Sequence, residues 1–199
     1  MKLRSWLSTV FFLIAISTAA LPQTAAPKEQ SDKSPKDMHG LIIYGKGFSF
    51  STSEPEGWDA DTDKAARDYS VNAVFFPRAK ESRSAHVNIR IRVNRKTTED
   101  PAEDMATDVA EYKAKYPKVR FEDLNLSHDK YKTSAKAFIE PDAYYEYVVY
   151  LNPGANTHIS FSFAMSKEKK AATKEEMEAF EHVLKSFTFL TEKVVHLSK

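Results

Sequence analysis

The chain has 199 residues, 29 basic against 28 acidic side chains, six histidines and no cysteine. That length suits one domain, or a domain with a tail, and 42% hydrophobic with 12% aromatic residues is enough to build a core, which excludes disorder throughout. Absent cysteine excludes disulfides, thiolate nucleophiles and Cys-based zinc sites, near-neutral charge argues against a nucleic-acid partner, and only five glycines leave little room for phosphate loops.

Lys2 and Arg4 precede an uncharged, almost wholly apolar run from Trp6 to Ala20. Small residues follow, with Ala19–Ala20 and Ala25–Ala26 as cleavage points. Charge, short apolar run and small-residue exit predict a secretory signal peptide over 1–26. The run is shorter than the ~20 residues of a spanning helix, so membrane contact is expected only through an uncleaved signal. Removing it takes away two basic groups and leaves a net charge of −1. Residues 27–39, with Pro27, Lys28, Glu29 and Pro35, predict a flexible linker, because polar sequence cannot offset its ordering entropy. The folded domain is then expected over 40–190, with a tail over 191–199. Export points to the periplasm or the extracellular space. The missing disulfide suits a bacterial envelope protein better than a small animal secreted domain.

Leu41-Ile42-Ile43-Tyr44, Gly47 to Ser51 and Val71 to Phe76 read as strands. In 85–95, Val87, Ile89, Ile91 and Val93 alternate with His86, Asn88, Arg90, Arg92 and Asn94, the pattern of an antiparallel strand with one buried and one wet face. Asp100-Pro101-Ala102-Glu103 starts a helix whose stripe is Met105, Val109, Tyr112 and Tyr116, and Pro117 stops it. Strands follow at 121–128, 131–139, 144–151 and 157–165, the last two separated by an Asn152-Pro153-Gly154 turn. Thr173 and Glu176 form a capping box for a second helix with the stripe Met177, Phe180, Val183, Leu184 and Phe187. Phe187 to Leu190 is a final apolar anchor. Short turns make an antiparallel meander. The expected fold class is α+β: a single antiparallel β-sheet of about six or seven strands, packed by amphipathic helices on its apolar side and hydrated on the other.

Phe48-Ser49-Phe50 followed by Pro55-Glu56-Gly57-Trp58, and the closing Phe180-Glu181-His182-Val183-Leu184-Lys185-Ser186-Phe187, resemble the PsbP-like α/β/α sandwich superfamily, which includes DcrB-like bacterial envelope proteins. The resemblance spans about residues 41–190. It implies that fold and a non-catalytic binding or assembly role, and it carries over no set of ligand residues.

Asp59, Asp61 and Asp63 alternate as in an EF-hand loop, but Lys64 and Ser70 stand where its glycine and bidentate glutamate belong. Whether the three bind a cation another way stays open at this level. No two histidines share metal-ligand spacing, and no Gly-x-Ser-x-Gly elbow occurs. Neither a metal, a cofactor nor a catalytic residue is therefore expected. The wet face gathers Arg90, Arg92 and His86, with Glu146 and the row His158, Ser160 and Ser162 on the same side if the strands pair in sequence. Arginine beside glutamate would compensate as an ordinary cross-strand pair. Otherwise Arg90, Arg92, His86 and His158 form a surface for an envelope protein or a small anionic ligand, which guanidinium groups suit. The expected function is an exported, non-catalytic envelope protein that binds such a partner. The alternatives are a carrier holding a hydrophobic ligand among Tyr144, Tyr145, Tyr147, Tyr150 and the phenylalanines, and a secreted hydrolase with dispersed residues.

Overall fold

The computed structural model describes residues 40–80 and 85–191. The expected signal peptide and linker, and all but the first residue of the expected tail, lie outside the described residues. In chain order the elements are β1 (Leu41–Gly45), β2 (Phe48–Thr52), β3 (Trp58–Asp61), α1 (Lys64–Asp68), β4 (Ala73–Pro77), β5 (Val87–Arg95), α2 (Pro101–Lys115), β6 (Arg120–Asp123), β7 (Lys132–Glu140), β8 (Tyr144–Asn152), β9 (Ile159–Glu168), α3 (Lys174–Ser186) and β10 (Thr188–Thr191). Among the described residues no helix is long and apolar enough to cross a membrane.

Among the described residues the strands form two sheets, not the single one expected. Seven strands run in the order β3-β4-β5-β9-β8-β7-β6, and three more in the order β1-β2-β10, with antiparallel pairing throughout. The split has a packing cause. Phe50 of β2 meets Phe161 of β9 ring edge to ring face at 5.3 Å, so β2 stacks over the large sheet instead of extending its edge. The apolar anchor after α3 turns extended at Phe187 and becomes β10, which pairs with β2 through Phe189 and Phe50.

The alternation in β5 sets the main core. Ile89 lies opposite Met165, Ile91 opposite Phe163, and across β9 these continue to Tyr147 and Val149 of β8. All of these are buried. Over this face α3 sets Phe180, Val183 and Leu184, also buried. Its Thr173–Glu176 capping box closes as expected, with two otherwise free amide groups satisfied reciprocally.

The expectation of a hydrated opposite face needs correction. Phe138 of β7 and Val148 of β8 point to that side and join Met105 of α2 and Val119 in a second, smaller core. The two long helices therefore cover opposite faces. α2 begins as its sequence directs, with the Asp100 carboxylate accepting from the Ala102 amide and Pro101 at the first helical position. Glu103 and Asp104 near its start and Lys113 and Lys115 near its end complement the helix dipole.

Three local features differ from expectation. The acidic stretch from Trp58 holds two elements not among those expected, the edge strand β3, paired with β4, and the short helix α1. The strand expected at 121–128 stops at Asp123. The chain then runs irregularly to His128, whose ring is buried.

Candidate functional site

The side of β5 that carries Asn88, Arg90, Arg92 and Asn94 continues across β9 through Ser162, Ala164 and Ser166, and across β8 through Glu146, Val148 and Tyr150. α2 crosses only part of this face. Beside it lies a half-open cleft of about 200 Å³, whose polar lining is Arg90, Arg92, Asp108, Tyr112, Glu146 and Tyr150. Val71, Val148 and Ala164 supply apolar lining.

Glu146 is the hub of the cleft. Its Oε1 accepts from Arg90 Nη2 at 2.7 Å and from Ser166 Oγ at 3.2 Å, and its Oε2 accepts from Tyr112 Oη at 3.0 Å. Arg90 also donates to Ser166 Oγ and stacks its guanidinium 5.8 Å from the centre of the Tyr69 ring. The two charged side chains are only 21% and 17% exposed, so water screens their attraction weakly. Arg90 Nε and Asn88 Oδ1 are buried without a hydrogen-bond partner among the described residues.

Arg92 is in the opposite situation. It is exposed, lines the same cleft, and makes no hydrogen bond or ion pair with any described residue. The compensation expected of the arginine face thus holds for Arg90 and not for Arg92.

The tyrosines and Asp108 feel this environment. Burial pushes the Tyr112 phenol well above its ordinary range, and the Glu146 charge adds to that. Burial also raises Tyr150, followed by the negative charge of Asp108, while Arg92 pulls the other way. Asp108 is raised by burial, against the opposing effect of its hydrogen bond with Tyr150 and with help from Glu146 and Glu111. A phenol held protonated is a lasting hydrogen-bond donor, so the cleft presents fixed donors and acceptors.

Arg90 and Arg92 are brought together; His86 and His158 do not join them. Both imidazoles are exposed, one just before β5 and one just before β9. The His158 carbonyl bonds the Lys96 amide at 2.9 Å, which puts it at the far end of β5 from His86, about 30 Å away along the strand. Asp108 and Tyr112 are cleft residues that pattern reading did not select as a site, and Tyr150 was expected only in a hydrophobic pocket. The available signal was Phe121, Phe138 and Val148, apolar residues on the face expected to be wet, which only a helix on that side explains.

Elsewhere, His182 Nε2 lies 2.8 Å from Ser53 Oγ on an exposed surface outside the cleft. Asp59 bonds Arg78 at 2.9 Å, Asp61 accepts from the Asp63 amide at 2.8 Å, and Asp63 pairs with Arg67. The three acids are thus turned into separate local bonds, and among the described residues no group of three metal-ligating side chains converges. The aromatic interior closes on itself, with Phe187 meeting Phe161 at 4.7 Å, Phe163 at 5.4 Å and Phe50 at 5.5 Å. No model of a known protein family matches the chain, and no curated protein matches it.

Proposed function

We propose that this is an exported, non-catalytic binding protein whose cleft beside α2 takes a small ligand carrying an anionic group, with Arg92 as the anchor. The observation that carries the reading is the contrast between two arginines on one strand. Arg90 is held by Glu146 and Ser166, whereas Arg92 lines the same cleft with no partner among the described residues. A guanidinium offers five donors in a planar fork that matches carboxylate or phosphate. Arg90, pinned by Glu146, then acts as part of the wall.

We also assign the chain to the PsbP-like superfamily. Helices on both faces of an antiparallel sheet support that assignment, as does the turn at Pro55 to Trp58, where Gly57 takes a φ of 77° and the Trp58 amide donates to the Pro55 carbonyl at 3.1 Å. Export rests on the charge and apolar pattern of the first 26 residues.

The test is a nuclear magnetic resonance titration of the protein with sodium phosphate and with acetate. Saturable shifts confined to the cleft, near Tyr112, Tyr150 and Ser162, are expected, with affinity falling about tenfold in Arg92→Ala, the usual worth of one charge-assisted contact. No saturable shift with either anion, or equal affinity in the variant, overturns the reading. Terminal sequencing of protein from an envelope extract, expected to begin near residue 27, tests export.

A further inference from the structure

We infer that the ligand is a small zwitterion, held by its carboxylate at Arg92 and by its ammonium group at Asp108. This rests on the anion-binding reading above and adds a second charge to it.

The geometry is that of a divided pair. Arg92, Ser162 and Tyr150 form one row across β5, β9 and β8. Arg92 and Tyr150 are therefore two strand spacings apart, about 10 Å between backbones. Asp108 comes down from α2 and lines the same cleft as Tyr150 and Arg92. The cationic and the anionic group of the cleft are thus carried by different layers of the fold, Arg92 by the sheet and Asp108 by α2.

Neither end is neutralised internally. Arg92 has no acidic partner among the described residues. The groups that act on Asp108 are Tyr150, Glu146 and Glu111, a neutral donor and two further acids. Glu146 does not serve as the second anion, because Arg90 already compensates its charge at 2.7 Å. A ligand with a negative group alone would leave Asp108 half-buried without a counter-charge. A ligand with a positive group alone would leave Arg92, though exposed, without a counter-charge in the cleft. One carrying both satisfies both, and the mismatch of a singly charged analogue becomes the source of selectivity.

Size narrows the class. About 200 Å³ lies below the ~300–1,000 Å³ of pockets that hold drug-sized molecules, so the occupant is of amino-acid dimensions. The apolar lining from Val71, Val148 and Ala164 suits the methylene carbons between the two charges.

The experiment uses one six-carbon skeleton in four charge arrangements: the zwitterions norleucine and ε-aminocaproate, the anion hexanoate and the cation hexylamine. Each is titrated calorimetrically into the protein and into Arg92→Ala and Asp108→Asn, with circular dichroism confirming that both variants fold. At least one zwitterion is expected to bind about tenfold or more tightly than hexanoate and hexylamine. Asp108→Asn should bring its affinity down to that of hexanoate, and Arg92→Ala to that of hexylamine. Hexanoate binding as well as either zwitterion, or Asp108→Asn leaving the preference intact, overturns the zwitterion and leaves the anion site standing. Binding of none of the four, with no response to phosphate or acetate, overturns both.

Discussion

Arg90 Nη2 stands 2.7 Å from Glu146 Oε1, although strand β9 runs between the strands that carry them. The contact therefore ties β5 to β8 over the top of β9, with Ser166 of β9 bonded to both ends. Glu146→Ala would leave Arg90, Ser166 and Tyr112 without their acceptor. The expected cost is about 1–3 kcal/mol in urea unfolding. Glu146→Gln, which keeps an acceptor, should cost less. A Glu146→Ala variant within about 0.5 kcal/mol of the parent would show that the bridge contributes nothing.

Phe187 is the joint between the two sheets. It is 1% exposed and meets rings from β2, β9 and the segment before β7. Phe187→Ala should lose about 3–5 kcal/mol, the cost of a large buried cavity. Phe187→Leu, which keeps most of the volume, should lose clearly less. Equal losses in the two variants would mean that ring geometry, not volume, is what matters there.

His128 replaces secondary structure where β6 ends early. Its Nδ1 accepts from the Lys130 amide at 3.0 Å, so the proton sits on Nε2, which donates to the Phe187 carbonyl at 3.0 Å. His128→Leu keeps an apolar side chain of similar bulk and removes both bonds. Two backbone groups then lose their partners, for an expected cost of about 1–3 kcal/mol. Faster amide exchange at Lys130, relative to the amides of β5, is the local readout. An unchanged rate would refute the tie.

The raised groups of the cleft predict a pH profile. The folded state holds protons on Asp108 more tightly than the unfolded chain does. Its contribution to stability is therefore greatest at low pH and is lost as pH rises through the folded-state value. Asp108→Asn should then unfold at higher urea than the parent at pH 7, and the gap should close on acidification below the ordinary aspartate range near 4. Tyr112 and Tyr150, also raised, favour the folded state until the unfolded chain begins to release its phenol protons near 10, and that support is lost above it. Tyr112→Phe plus Tyr150→Phe should flatten this alkaline decline. Urea unfolding at stepped pH tests both limbs, and parallel curves for parent and variants would contradict the assignment.

The meander was legible in the sequence because side-chain alternation is local: Val87 to Val93 and Ile159 to Met165 announce their faces without reference to anything else. Both helix starts were legible for the same reason, since a cap acts within one turn. What stayed hidden depends on distant chain. β3 is four residues long, so Trp58 and Ala60 are too few to establish a period, and it exists through backbone pairing to β4. α1 is too short to show a stripe. The second sheet requires knowing that Phe189 meets Phe50. The cleft follows the same rule. Arg90 and Arg92 could be picked out as a facing pair, but their different states depend on Glu146 two strands away. Asp108 enters only because α2 covers the side opposite to α3.

The order β1-β2-β10 places the last strand of the domain beside one of the first. A nascent chain cannot finish this small sheet until its C-terminal segment has emerged, so β2 waits with one edge bare through nearly the whole of synthesis. Long-range pairing of this kind slows folding. Ribosome-bound chains truncated before Phe187 should accordingly stay protease-sensitive, while chains extended past Thr191 by a linker long enough to clear the exit tunnel become resistant.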